Sequence, residues 1–298
     1  MKVAGAPISW GVNELTNWGY RMPPDRVLEE MKEVGLGATE LGPPGYLPAG
    51  ASERRRLLER FDLNLVAGFL ATVMHDPARL PTDEIEHEAS TLAASGAELL
   101  VLAAALPGDT YDDDASLSAA DWTRLAERLH EAVELASSHG LDLAFHPHAG
   151  TAVATAEDIE TLLETTRVDL CLDTGHVFLG GADPVTIARA AGNRVRHVHL
   201  KDVDVKVAER FQACEISYTE AVRHGLYRPL GSGDLDIESV YHRLQDAGYR
   251  GWFVLEQDTA LTAEPEPGAG PVAAVRQSLE YFRGIASAKL STSASKEE

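Results

Sequence analysis

The sequence predicts an α/β fold, a single-domain (β/α)₈ TIM barrel. Eight short apolar runs recur along the chain, and amphipathic stretches with helical periodicity lie between them. The length of 298 residues accommodates the roughly 250 residues that such a barrel needs. The Pro- and Gly-rich segments 41–50 and 263–271 each follow an apolar run, as active-site loops do in this fold, and no linker divides the chain. A doubly wound open sheet is the competing arrangement.

The apolar runs are the predicted strands, and the stretches between them are the predicted helices. The eight runs are 3–9, 37–41, 63–70, 97–103, 141–146, 168–172, 195–200 and 252–256. The stretch 23–37 starts on proline and ends on glycine, which is typical of a helix. Over 121–140, apolar residues recur at a period near 3.6 before Gly140, which also predicts a helix.

Two segments near the carboxyl end need separate interpretation. The segment 202–235 is longer than a simple connection, and its Gly231-Ser232-Gly233 resembles a phosphate-binding loop. We interpret it as a turn after which Asp236 caps the helix IESVYHRLQDAG. Residues 289–298, KLSTSASKEE, are small and polar, so we expect a flexible tail after a domain spanning 1–288.

The composition excludes several classes of protein. Lys and Arg number 26 and Asp and Glu number 47, which gives a net charge of −21 and repels the phosphate backbone of nucleic acids. The chain lacks a run of about 18 apolar residues and an amino-terminal signal pattern, so we expect neither a membrane span nor secretion. Only Cys171 and Cys214 are present, too few for a disulfide framework. A cytoplasmic protein is therefore expected.

Each of the last four apolar runs has an ionisable residue at or next to its carboxyl end. Because strand side chains alternate between faces, the apolar alternates of these runs are expected to pack on helices. These outward residues are Leu143, Phe145, Leu170, Leu172, Val198, Leu200, Phe253 and Leu255. The opposite set, which points into the barrel mouth, is His146, Asp173, His199 and Glu256.

These four side chains predict a metal site. Neighbouring strands lie only about 4.8 Å apart, so the four groups can converge. Two imidazoles and two carboxylates suit Mn²⁺, Co²⁺, Fe²⁺ or Zn²⁺ better than Mg²⁺ or Ca²⁺. Alternatives remain for each residue: Asp173 could cap a helix, Glu256 could be a solvated loop residue, His199 could be a hydrogen-bonded core residue, and His148 could take the place of His146. We interpret His197 as a hydrogen-bonded core residue.

A second group of residues is expected around this centre. His176 and Lys201 could reach a substrate hydroxyl or carbonyl, or could instead support the ligands. Glu40, at the end of the second run, and His75, after the third, are expected to line the same rim as substrate contacts. Trp10, after the first run, could form an apolar wall for a ring or could pack in the core.

The motifs DTGH (173–176), RHVHLKDV (196–203) and the strand ending in Glu256 resemble those of the xylose isomerase-like TIM barrels, the sugar phosphate isomerase/epimerase superfamily. The resemblance covers nearly the whole chain. Segments such as APISW, FHPHAGT and GYRGWFVLEQD are most similar to the inosose (2-keto-myo-inositol) dehydratase group. The superfamily pattern implies Glu, Asp, His and Glu as ligands, and here His146 stands at the position of the first glutamate.

The resemblance implies a metal-dependent dehydratase, a carbon–oxygen lyase, that acts on a keto-cyclitol in inositol catabolism with Mn²⁺ or Co²⁺, and with Zn²⁺ or Fe²⁺ as alternatives. A metal that polarises the ketone acidifies the adjacent C–H, and one base then suffices. We expect Glu256, or Lys201 if the nearby cation deprotonates it, to be this base, and His176 or His148 to protonate the departing hydroxyl. Epimerisation would use two carboxylates, of which His146 replaces one.

Other functions remain open at this point. A keto-sugar isomerase or epimerase is the first alternative, and a lyase that eliminates an aglycone from a 3-keto-glycoside is the second. A sugar- or metal-binding partner subunit without activity is the non-enzymatic alternative. A DNA-repair endonuclease shares this barrel but would need a positive groove, which the charge of −21 opposes. A homo-oligomer is compatible with the sequence.

Overall fold

A closed barrel of eight parallel strands forms the centre of the computed structural model, which describes residues 1–15, 17–108 and 110–294. The barrel strands are β1 (Lys2–Gly5), β2 (Ala38–Glu40), β3 (Asn64–Thr72), β4 (Leu99–Ala104), β5 (Asp142–Phe145), β6 (Asp169–Asp173), β7 (Val195–Leu200) and β10 (Trp252–Leu255), and a separate antiparallel pair is formed by β8 (Asp202–Val203) and β9 (Tyr227–Arg228). The order around the barrel is β1-β10-β7-β6-β5-β4-β3-β2. The predicted barrel is confirmed, and the open sheet is excluded because β1 pairs with both β10 and β2.

Helices follow the barrel strands and surround them. They are α1 (Pro24–Val34), α2 (Ala51–Arg60), α3 (Thr82–Ser95), α4 (Ala119–Ser138), α5 (Ala156–Thr165), α6 (Thr174–Leu179), α7 (Pro184–Ala191), α8 (Val205–Gln212), α9 (Tyr218–Arg223), α10 (Ile237–Asp246) and α11 (Pro271–Ala294). The helices predicted over 23–37 and 121–140 are α1 and α4. Helix α11 continues past residue 288, where the sequence placed the start of a tail, and 295–298 lie outside the described residues. None of the described helices has the length and apolar character needed to cross a membrane.

The alternation of side chains along the strands is as predicted. The apolar residues Leu143, Phe145, Leu170, Leu172, Val198, Leu200, Phe253 and Leu255 all belong to the large core between barrel and helices. Small residues such as Ala144, Cys171 and Val254 form a separate cluster inside the barrel. Because strand side chains repeat every two residues, the next inward positions after these three are His146, Asp173 and Glu256 at the mouth.

A cap covers part of this mouth. The long segment after β7 contains β8, α8, α9 and β9, and it contributes Tyr218 and Tyr227 to a second apolar cluster. Trp18 and Tyr111, from the loops after β1 and β4, complete the cluster. The cap therefore places aromatic rings above the carboxyl ends of the barrel strands, where active sites of this fold lie.

The turn Gly231-Ser232-Gly233 binds a carboxylate of the chain itself. The fully buried Asp202 accepts backbone N–H groups from Gly231 at 2.9 Å and from Gly233 and Leu235 at 3.0 Å. The turn resembles a phosphate-binding loop because both direct backbone N–H groups at an anion. Asp236 caps α10 as predicted, since it accepts the N–H of Ser239 at 2.9 Å.

Replacing Gly233 by alanine is expected to lower the free energy of unfolding by about 1–3 kcal/mol. An added Cβ would lie 2.7 Å from the backbone nitrogen of Val203 and closer still to the Asp202 carboxylate, neither of which can move freely. Gly37→Ala is the matched control, because nothing lies within 4 Å of its added Cβ. Urea denaturation of both variants measures the difference, and equal stabilities would refute the expectation.

Candidate active site

A cavity of about 240 Å³ opens at the carboxyl ends of the barrel strands. Its ionisable lining includes His146, His148, His199, Lys201, Glu256 and Asp258. Its apolar lining includes Ile8 and Val12, from the segment after β1, and Phe69 and Leu70, from β3. The polar groups therefore come mainly from the second half of the barrel and the apolar groups from the first half.

The four predicted metal ligands lie together at the polar side of this cavity. Asp173 Oδ2 is 3.6 Å from both His146 Nε2 and His199 Nδ1. His199 Nδ1 is 3.2 Å from Glu256 Oε2. One potential ligand atom each from Asp173, His199 and Glu256 lies within 4.8 Å of the others. All four side chains are buried, so the group is a compact cluster of two imidazoles and two carboxylates.

The hydrogen bonds of the two histidines direct one ring nitrogen of each residue at this centre. His146 Nδ1 lies 2.7 Å from the carbonyl oxygen of Pro147, so Nδ1–H donates and Nε2 faces Asp173. His199 Nε2 lies 3.0 Å from Glu40 Oε1, so Nε2–H donates and Nδ1 faces the carboxylates. Burial lowers the pKa of His146 well below its usual range, which keeps this ring neutral, as a metal ligand must be.

Asp173 performs two tasks at once. Its Oδ1 accepts the backbone N–H of His176 at 2.9 Å and caps α6, while its Oδ2 faces the two imidazoles. Neither Asp173 Oδ2 nor His199 Nδ1 takes part in a well-aligned hydrogen bond with the described residues. Asp173 Oδ2 lies 2.9 Å from the Lys201 ammonium and 3.6 Å from His199 Nδ1. Carboxylate and imidazole donors grouped in this way fit a divalent metal ion, which these donor types bind well.

Lys201 supplies a positive charge beside the same carboxylates. Its Nζ lies 2.9 Å from Asp173 Oδ2, 2.9 Å from Glu256 Oε2 and 3.1 Å from Asp258 Oδ1. Burial alone would lower the pKa of Lys201, but the three carboxylates outweigh burial and raise it well above its usual range. The ammonium therefore stays charged here, and a role of Lys201 as the base would require a nearby cation to deprotonate it.

Charge also sets the state of the two carboxylates beside this ammonium. Burial would raise the pKa of Asp173, but the Lys201 ammonium and neighbouring imidazoles hold it well below its usual range. Burial raises the pKa of Glu256 to about 7, against the opposing influence of His199 and Lys201. Asp173 is thus a permanent anion, whereas Glu256 can take up a proton near neutral pH.

The predicted proton donors His148 and His176 stack with ring centroids 3.7 Å apart. His148 lines the cavity, its Nδ1–H donates to the carbonyl of Ala149 at 2.7 Å, and burial lowers its pKa to about 4. His176 Nδ1 accepts the N–H of Ala149 at 3.2 Å, so the neutral ring carries its proton on Nε2. Burial lowers the pKa of His176 well below its usual range.

Glu40, expected as a substrate contact, lies at the cavity but is bound by two histidines of the barrel interior. It lines the cavity, but its Oε1 accepts N–H groups from His197 at 2.8 Å and His199 at 3.0 Å. Burial alone would raise the pKa of Glu40, but the two imidazoles hold it well below its usual range. His197 is the hydrogen-bonded interior histidine that the sequence predicts.

Trp10 and His75 do not lie where a substrate contact was expected. Trp10 ends a short 3₁₀ helix that turns its ring into the core, and its Nε1–H donates to Glu30 at 2.7 Å. The core-packing alternative therefore describes Trp10. His75 lies three residues past the end of β3 and is absent from the lining of this cavity. Its carbonyl accepts an N–H of Arg124 at 2.8 Å, which holds the loop against α4.

Other residues of the site were not predicted. Asp258 lines the cavity and accepts the Tyr218 hydroxyl at 2.6 Å. It lies two residues after Glu256, so the period of a strand could have indicated it. Glu14 lines the cavity and accepts the Tyr111 hydroxyl. No local pattern marks Glu14, because it lies in the loop after β1.

Comparison with known proteins agrees with this fold. The family model for xylose isomerase-like TIM barrels matches residues 28–285. An inosose dehydratase from Geobacillus kaustophilus (strain HTA426) is 31% identical over 301 residues, which cover 94% of this chain and 93% of that protein. The curated relatives of this kind make the chain a member of an enzyme family.

Solved structures are similar in fold at low sequence identity. An L-ribulose 3-epimerase superposes with a TM-score of 0.71 at 15% identity and covers 98% of this chain and 97% of its own. The IOLI protein with a bound zinc atom superposes with a TM-score of 0.68 at 15% identity, with 96% of this chain and 98% of its own covered. From its fold, its family match and its curated relatives, this chain belongs to the xylose isomerase-like TIM barrel family.

Proposed function

We propose that this protein is a metal-dependent dehydratase that removes water from a keto-cyclitol such as 2-keto-myo-inositol. The observation that carries the proposal is the cluster of two imidazoles and two carboxylates at the polar side of a small cavity. The name of the curated relative, inosose dehydratase, supports the substrate class. A cytoplasmic role in inositol catabolism follows as part of the proposal.

The proposed metal ligands are His146, Asp173, His199 and Glu256. Their donor atoms suit Mn²⁺ and Co²⁺, and also Zn²⁺ and Fe²⁺. When bound, the ion would supply Lewis acidity that polarises the ketone of the substrate. His146 is neutral and Asp173 is negative, as such binding requires. Burial alone would lower the pKa of His199, but the charges of Cys171, Glu256 and Glu40 outweigh burial and raise it well above its usual range, so metal binding would release a proton from this ring.

The chain's own residues supply the proton transfers. Glu256, a carboxylate that lines the cavity beside Lys201, is the proposed base that takes the proton from the carbon next to the ketone. The Lys201 ammonium stabilises the negative charge that develops on the substrate oxygen. The departing hydroxyl leaves as water with the proton that Glu256 has taken from carbon, passed on through the neutral ring of His148, which lines the cavity, or of its stacked partner His176.

A keto-sugar isomerase or epimerase is the second candidate, and the structural likeness to an L-ribulose 3-epimerase favours it. Epimerisation needs a second base on the opposite face of the substrate. His146 stands where the superfamily pattern has a carboxylate, and its Nδ1–H is bound to Pro147. This substitution favours dehydration over a two-base exchange. A lyase acting on 3-keto-glycosides remains a related alternative.

The assay that tests the proposal follows ultraviolet absorbance after 2-keto-myo-inositol is added to protein loaded with Mn²⁺ or Co²⁺. Dehydration forms a conjugated enol-dione, so absorbance is expected to rise with time. Protein stripped of metal is the control and should give no rise. A change of stereochemistry without new absorbance would favour the epimerase, and metal binding without reaction on a panel of keto-sugars would favour a binding protein.

A further inference from the structure

Glu40 makes a contact that crosses the inside of the barrel. It ends β2, whereas its partners His197 and His199 belong to β7, which is three strands away in the barrel order β2-β1-β10-β7. The contact is possible because the strands near this layer present small side chains to the interior, among them Ala4 and Ala38. Glu40 is only 4% exposed, so its carboxylate is held mainly by protein.

We propose that Glu40 is a positioning residue, which fixes the His199 ring so that Nδ1 rather than Nε2 faces the metal site. An imidazole has two nitrogens, and the one whose N–H is bound by a carboxylate is not available to a metal. Glu40 Oε1 takes the Nε2–H of His199 at 3.0 Å. The remaining nitrogen, Nδ1, lies 3.2 Å from Glu256 Oε2 and 3.6 Å from Asp173 Oδ2.

His197 completes this arrangement from the layer below. Its Nε2 lies 2.8 Å from the same oxygen, Oε1, that accepts His199. Two N–H groups from one strand therefore converge on one carboxylate oxygen, which restricts rotation of the Glu40 side chain. The buried His197 is therefore not a proposed metal ligand. It restricts the Glu40 side chain, and Glu40 in turn fixes the orientation of the His199 ring.

The inference rests on the metal centre of the proposed function but not on the substrate. If Glu40 contacted substrate only, its replacement would raise KM and leave metal affinity unchanged. If it positions His199, its replacement weakens metal binding in the absence of any substrate. Metal affinity measured on the substrate-free protein therefore separates the two roles.

The test measures Co²⁺ binding by titration calorimetry and by the visible absorption of the bound ion. Glu40→Gln keeps the shape of the side chain and removes its charge, and we expect Co²⁺ affinity to fall about 10- to 100-fold with a changed absorption spectrum. His197→Asn, which leaves the Glu40–His199 contact in place, should cause a smaller loss. Thermal unfolding of each variant confirms that it is folded.

Glu30→Gln is the matched control, because Glu30 is also a buried carboxylate with two side-chain partners, Trp10 at 2.7 Å and Arg26 at 3.0 Å, away from the centre. Its Co²⁺ affinity should stay within twofold of the unaltered protein. Unchanged Co²⁺ binding in Glu40→Gln, or an equal loss in Glu30→Gln, would overturn the inference. If the unaltered protein binds no Co²⁺, the metal centre itself is refuted, whereas failure of the dehydratase assay alone leaves the inference standing.

Discussion

Replacing Glu256 by glutamine is expected to lower kcat for the keto-cyclitol by about 10²–10⁴-fold at saturating metal. Glutamine fills the same space but cannot accept a proton from carbon. Its carbonyl can still face His199 and Lys201, which now contact Glu256 Oε2 at 3.2 and 2.9 Å. Turnover and exchange of the substrate C–H with deuterium from solvent should therefore fall together.

Asp258→Asn is the matched control for this variant. Asp258 is a buried carboxylate that lines the same cavity and also pairs with Lys201, at 3.1 Å. Its replacement removes the same charge from the same ammonium but leaves the proposed base in place, so we expect a loss of about tenfold. Equal losses in the two variants would mean that Glu256 acts through charge alone, and undiminished turnover in Glu256→Gln would remove it as the base.

The sequence predicted the barrel and the four convergent side chains because both depend on the strand repeat of two residues. Once Leu172 and Leu255 are assigned to the helix-facing side, Asp173 and Glu256 must face inward. No knowledge of the loops is needed for this step. Trp10 and His75, which do not line the cavity, lie outside the strands, where the backbone turns and the repeat carries no information.

The partners of the site residues could not be predicted from the sequence. Glu40 is 157 and 159 residues from His197 and His199, and only closure of the barrel brings them together. The charge of Lys201 likewise depends on distant neighbours, since its carboxylate partners come from β6 and from the end of β10. The local sequence predicts which face of a strand a side chain lies on, whereas the protonation state of that side chain depends on charged neighbours from distant strands.

Replacing Lys201 by methionine is expected to strengthen metal binding and to weaken catalysis. The ammonium lies 2.9 Å from an oxygen of each proposed carboxylate ligand, Asp173 and Glu256, so it competes with a metal ion for the same negative charge. Two like charges about 4 Å apart repel by roughly 4 kcal/mol at an effective dielectric constant of about 20. We therefore expect Co²⁺ to bind at least about tenfold more tightly to this variant.

The same substitution removes a fixed positive charge from the substrate cavity. If Lys201 stabilises the developing oxyanion, kcat should fall by about 10²–10³-fold although the metal site is better filled. Lys201→Arg keeps the charge and should keep metal affinity near that of the unaltered protein. Lys206→Met changes the net charge by the same amount at an exposed position of α8, where solvent screens it, and should alter neither property.

Tighter metal binding together with slower turnover distinguishes this role from general damage to the site, which would weaken both metal binding and turnover. Weaker Co²⁺ binding in Lys201→Met would show that the ammonium supports the ligands rather than competing with the ion. Stronger binding with unchanged turnover would remove Lys201 from the reaction. Only tighter binding with slower turnover agrees with an ammonium that balances Asp173 and Glu256 in the substrate-free protein and acts on the substrate during catalysis.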